Sequence, residues 1–122
     1  MRAFEGLRVI DFTHVLAGPF CTYQLAVMGA DVIKIESPES PDMMRAEGVD
    51  SALAERGLGT QFLCQSGNKR SLAVDLGSDA GRRLVRDLIV GADVLVENFR
   101  YGVLERIGLG YDELAIDNPT LV

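Results

Sequence analysis

Four strand-length apolar runs, spaced by helix-length stretches and punctuated by Gly and Pro, constrain this chain more than any other feature of it. The first, Leu7-Arg8-Val9-Ile10-Asp11, leads through Ala17-Gly18-Pro19 into a helical pattern from Phe20 to about Met28, and Asp31-Val32-Ile33-Lys34-Ile35-Glu36 follows as the second. Short runs separated in this way predict β-α-β units rather than hairpins, which need only a few turn residues between strands. Pro19 fits the first helical turn, where its missing N–H costs nothing, and Gly29 fits the left-handed position that closes a helix. Phe20, Tyr23, Val27 and Met28 share one helical face. Residues 7–36 therefore predict two parallel strands joined by a right-handed crossover.

A second unit follows the same plan. Ser71–Asp75 reads as a strand, Ser78 as an N-cap, and Leu84, Val85, Leu88 and Ile89 as an apolar stripe opposite Arg82, Arg83 and Arg86. Gly91 ends that helix, and Ala92-Asp93-Val94-Leu95-Val96-Glu97 echoes residues 30–36 in composition and in following a glycine. So short an echo fits a duplication or two separate solutions to one helix-stop-plus-strand geometry. The alternation predicts an α/β fold, a Rossmann-like parallel sheet covered by helices on both faces, formed by residues 1–122 as one unit. The connector 37–60 is long for such a fold and is expected to carry a short helix and to serve a site or an interface. A helical turn is expected around Val103–Ile107, then a Gly108/Gly110 break and a helix from about Tyr111 to Asp117, stopped by Asn118-Pro119. Thr120-Leu121-Val122 reads as the opening of a further strand, so the expectation is an incomplete, N-terminal part of a larger domain.

With 122 residues, 48% apolar and 25% charged, the chain has globular composition. Its net charge of −6 argues against a surface that neutralises nucleic acid or an anionic membrane, both of which need Lys and Arg in excess. No run approaches the ~20 apolar residues of a membrane span, and the N-terminus lacks a signal-peptide stretch, so a cytoplasmic protein is expected. Cys21 and Cys64 have neither redox nor metal-ligand spacing and read as reduced thiols.

The chemistry-bearing residues gather at the predicted carboxyl ends of the strands, where open α/β sheets bind ligands. The turn Thr13-His14-Val15-Leu16-Ala17-Gly18-Pro19 opens a helix whose free N–H groups can face an anion, and it lacks the dinucleotide fingerprint G-x-G-x-x-G. His14, the only histidine, can exchange protons near neutral pH or serve as a structural polar group. Gly67-Asn68-Lys69-Arg70-Ser71 can grip phosphate or decorate a solvent-facing turn, the latter being favoured on spacing. Glu97-Asn98-Phe99-Arg100, with Arg106 one to two helical turns later, offers an amide, an aromatic face and guanidinium groups suited to adenine or phosphate. No P-loop, G-x-S-x-G elbow, H-E-x-x-H or zinc spacing is present.

Taken in order, residues 7–11, His14–Pro19, Gly29–Glu36, Asn68–Ser71 and Ala92–Phe99 closely resemble the class III CoA-transferase (CaiB/BaiF-type) pattern. That family includes formyl-CoA and carnitine-type transferases and acyl-CoA racemases. The resemblance implies the N-terminal part of the family's large α/β domain, from an interlocked homodimer whose substrates are an acyl-CoA and a carboxylic acid acceptor. It implies coenzyme A as substrate, no permanently bound cofactor and no metal. By resemblance CoA lies against Leu16, Ala17, Val74, Asp75, Leu76, Asn98, Phe99, Arg100 and Arg106, with His14 beside the active site in a positioning role. Some transferases differ here, with a polar amide at Leu16, a basic residue at Ser37, a lysine at Gly77 and a small residue at Arg100. The family's aspartate nucleophile, which attacks the thioester carbonyl, is expected beyond Val122, so no catalytic residue is assigned within this chain. Two other readings remain open: a racemase or epimerase of the same family, and a non-catalytic CoA-binding or interaction fragment.

Overall fold

Alternation within the strands organises the molecule, a computed structural model that describes every residue from Met1 to Val122. Strands β1 (Arg8–Asp11), β2 (Asp31–Glu36), β3 (Lys69–Ala73) and β4 (Val94–Val96) form one parallel sheet in the order β3-β2-β1-β4. Val9 pairs with Val32 on one side and Val94 on the other, and Val32 pairs in turn with Lys69. Because side chains alternate between faces, Ile10, Phe12, Ile33 and Ile35 point one way and Val9, Asp11, Val32 and Lys34 the other.

The first face carries the larger core. Val85 and Ile89 of helix α4 (Asp79–Val90) and Leu114 of helix α5 (Tyr111–Asp117) pack there with Ile10, Phe12, Ile33 and Ile35. The opposite face joins Val9 and Val32 to Ala26 of helix α1 (Ala17–Val27). Toward the strand ends that face becomes polar, with Asp11, Thr13, Thr22, Lys34 and Glu36 all buried. Helices thus cover both faces, as the β/α alternation predicts, and none is long and apolar enough to cross a membrane.

Several local expectations shift. The third strand begins two residues early, at Lys69 rather than Ser71, and the fourth shortens to Val94–Val96. Its neighbour is β1, not β3, so the connection through α4 spans the sheet instead of joining adjacent strands. Helix α1 buries Pro19, Thr22 and Ala26, while Phe20, Val27 and Met28 face outward. Phe20, Val27 and Met28 therefore mark its exposed side, whereas Leu25 packs against the smaller core and the Thr22 hydroxyl is drawn inward to the Asp11 carboxylate, 2.7 Å away. Gly29 takes a positive φ of 111°, and Ser78 caps α4 by accepting from the Gly81 N–H. The 37–60 connector holds a short 3-10 helix, Met43–Ala46, and helix α2 (Ser51–Glu55). Helix α3 (Thr60–Ser66) has no counterpart among the expected elements. After α5, Val122 donates to the Asp93 carbonyl and accepts from the Leu95 N–H, the pattern of a parallel ladder on the free edge of β4.

Candidate functional site

The chain leaves β1 toward β2 on one side and returns with β4 on the other, so the carboxyl ends of β1 and β4 form a topological switch point. Connections diverge there and open a crevice, the place where doubly wound sheets take ligands. Two turns border it, one through His14 and one through Asn98. The Asn98 carboxamide clasps the His14 backbone from both sides: its oxygen accepts the His14 N–H (2.9 Å) and its amide donates to the His14 carbonyl (2.8 Å). The His14 ring lies 5.7 Å from that of Phe99, which lies 6.3 Å from Phe12. Phe12, His14, Ile35, Glu36, Asp75, Leu76 and Phe99 line the resulting cleft.

Among the residues singled out from sequence, His14, Asp75, Leu76 and Phe99 share this cleft and Asn98 fixes its rim. Val74 lies beneath, buried in the larger core. Leu16 and Ala17 are exposed at the start of α1, where Ala17 and Gly18 carry first-turn N–H groups without intrahelical partners. Arg100 lines a separate cleft at the free edge of β4 with Tyr101 and Leu121, and Arg106 is exposed beside Gly102. No Lys or Arg lines the strand-end cleft. Its two carboxylates are engaged, Glu36 by Arg45 (2.9 and 2.6 Å) and Asp75 by the Gly77 N–H (2.8 Å). Aromatic and apolar walls with an imidazole suit an uncharged part of a ligand, while anionic groups find donors at the α1 start and on Arg100 and Arg106.

Beneath the His14 turn lies a buried charge network that the sequence reading passed over. Asp11 accepts from the Thr13 N–H (2.8 Å), from both the Thr13 and Thr22 hydroxyls, and from Lys69 (2.9 Å). Lys69 also donates to the Pro19 carbonyl (2.9 Å) and to Thr22 (2.7 Å), so all three of its protons are used. The solvent-facing turn expected at residues 67–71 is therefore half wrong. Arg70 is exposed and pairs with Asp31 through two bonds, but the Lys69 side chain is 2% exposed because its strand position points it under α1. Lys34 pairs with Asp42 at 3.3 Å, both 2% exposed. The available signal was a charged residue at alternate positions of strands predicted to be buried on both faces.

Burial acts to raise the Asp11 carboxyl, but Lys69, the Thr13 and Thr22 hydroxyls and Lys34 together hold it below its ordinary value. The Lys69 ammonium is lowered by burial, against the attraction of Asp11. Burial likewise works on Glu36 and is outweighed by Arg45 and the Asp42 N–H, which leave it lowered, while Glu36 raises Arg45 in return. Arg45 also stacks 3.8 Å over the Phe62 ring. Cys21 and Cys64 are exposed and unpaired, and no three His, Cys, Asp or Glu side chains converge where a metal could sit.

The sequence profile described as CoA-transferase family III matches residues 4–122. A succinyl-CoA:mesaconate CoA-transferase of Haloarcula hispanica is 45% identical over 123 residues, covering 100% of this chain and 31% of that protein. The beta subunit of a succinyl-CoA–L-malate CoA-transferase of Chloroflexus aurantiacus is 45% identical over 117 residues, covering 96% and 28%. A crystal structure of a CaiB/BaiF family protein from Brucella suis superposes with a TM-score of 0.86 at 36% identity, covering 99% of this chain and 32% of that one. The chain thus spans about a third or less of the length of the proteins it matches.

Proposed function

Because this chain belongs to CoA-transferase family III, we propose that it forms the CoA-facing, N-terminal part of the large domain of an enzyme that moves CoA from an acyl-CoA thioester to a carboxylic acid. The observation that supports this most is the strand-end cleft at the switch point, where Asn98 clasps the backbone of His14 and the His14 ring meets Phe99. In this reading the cleft receives an uncharged portion of CoA. The first-turn N–H groups of α1, with Arg100 and Arg106, meet its phosphates. His14 positions the ligand. CoA is a substrate that comes and goes, not a resident cofactor.

Neither Asp11 nor Asp42 serves as the carboxylate nucleophile, since both are buried and their oxygens are held by donors. The nucleophile is assigned outside these residues. The whole enzyme is read as a cytoplasmic, interlocked homodimer. The relatives' names pair succinyl-CoA with mesaconate or L-malate, which makes dicarboxylic acids the first acceptors to try.

Calorimetric titration of the chain with CoA tests the reading. Saturable binding is expected, and Asn98→Ala should weaken it about tenfold, ~1.4 kcal/mol, through loss of two hydrogen bonds that shape the rim. A cooperatively folded chain that gives no binding heat would refute it.

A further inference from the structure

The turn from Thr13 to Val15 lies outside the sheet ladder, yet side chains from three separate parts of the chain hold its backbone. Lys34, from β2, donates to the Thr13 carbonyl at 2.5 Å. Asn98, beyond β4, takes both polar groups of His14. Asp42, from the connector after β2, accepts the Val15 N–H at 3.2 and 3.4 Å. Val15 sits at φ 75°, a left-handed conformation that a β-branched residue resists, so the turn needs this restraint to persist.

Lys34 and Asp42 form one buried ion pair, and the Asp42 carboxylate also accepts from the Met44 N–H at 3.1 Å. Desolvation offsets most of what such a pair gains by attraction, so apolar side chains would serve packing as well at these positions. Apolar side chains could not donate to the Thr13 carbonyl or accept from the Val15 N–H. The pair is thus suited to directing the backbone on either side of His14.

We infer that Lys34 and Asp42 are positioning residues for His14, fixing the peptide groups that flank it and so the place of its imidazole beside the Phe99 ring. The significance for ligand binding rests on reading the strand-end cleft as the CoA site. Asp42 also ties the connector to the turn. Its N–H donates to Glu36 (3.0 Å), Glu36 holds Arg45, and Arg45 donates to the Gly57 carbonyl (3.2 Å). The connector and the His14 turn therefore share Asp42 as a common anchor.

His14 is the only histidine, so its ring gives a single set of imidazole resonances that report on the turn. Three variants of the full chain separate the roles. Asp42→Ala removes the acceptor, Asp42→Asn keeps an oxygen for the Val15 N–H, and Lys34→Met/Asp42→Ala removes the pair without stranding a charge. The expected result is a displaced His14 ring signal and Val15 amide in Asp42→Ala and in the double variant, with Asp42→Asn closer to the native spectrum. Affinity for CoA should fall about tenfold in the double variant, the effect of losing one or two hydrogen bonds that shape the site. A folded double variant with native His14 and Val15 signals would overturn the inference. So would unfolding of both Asp42→Asn and the double variant, since the pair would then be purely structural. If native chain binds no CoA, the site reading fails while the resonances still decide the positioning role.

Discussion

Lys69 shows how far one residue's surroundings can differ from its local sequence. Between Asn68 and Arg70, just after a glycine, it has the look of a solvated turn. Its strand register instead places it opposite Val32 and under α1, where three acceptors take its protons. Such a fate is invisible in the sequence because Asp11, its partner, lies 58 positions away. The strand-end positions of His14 and Asn98 were legible in the sequence, but the clasp between them, across 84 positions, was not. Replacing Lys69 by Met leaves Asp11 buried without its ion-pair partner, with only the more distant Lys34 as counter-charge, which should cost about 3–5 kcal/mol. Urea unfolding measures it. A loss below about 1 kcal/mol would mean that the pair contributes no more than a surface salt bridge.

At the scale of elements, the sequence located helices better than it oriented them. Helix α4 has polar Arg82, Arg83 and Arg86 to define its outer side, and Val85 and Ile89 duly face the sheet with Leu88 half-buried, but Leu84 of the expected stripe is exposed. Helix α1 is apolar nearly all round, so periodicity could not say which side turns inward; hydrogen bonding of Thr22 decides. The short helices of the 37–66 region escaped or blurred because isolated helices of five to seven residues have little propensity signal and depend on packing. The approach of β3 to α4 supplies a test. A Cβ at Gly81 would stand 2.0 Å from the Asp75 carbonyl oxygen, so Gly81→Ala must push apart the capped start of α4 and the turn that carries Asp75 and Leu76. Overpacking of this kind should cost about 1–3 kcal/mol in denaturant unfolding. If that cleft is the CoA site, as proposed, CoA affinity should drop with it because the turn forms its wall; a variant with native stability would show that the turn yields freely.

Over the whole molecule, two β-α-β patterns were readable but the order of strands was not. Sequence alone favours neighbours for strands joined by one helix, whereas β4 is carried past β2 to pair with β1. That crossing creates the switch point, while the adjacent strands β1, β2 and β3 carry the buried charges of Asp11, Lys34, Glu36 and the Lys69 side chain. The fold consequently depends on carboxylates that must stay ionised. Asp11 and Glu36 both have lowered values in the folded chain, relative to ordinary values of 3.8 and 4.5. Groups lowered in this way stabilise the fold fully above their ordinary values and lose that contribution as the pH falls through the folded ones, since the unfolded chain then binds protons more readily. Relief of the repulsion implied by a net charge of −6 acts in the opposite direction, but exposed charges are screened beyond about 8 Å at physiological salt while buried pairs are not. Unfolding free energy measured in urea at fixed salt should therefore stay level from neutral pH down to about 5 and decline steadily below 4.5. Glu36→Gln, already uncharged, should show a shallower decline on a lower plateau. Stability that holds or rises between pH 4.5 and 3.8 would mean that the buried carboxylates contribute less than surface repulsion removes.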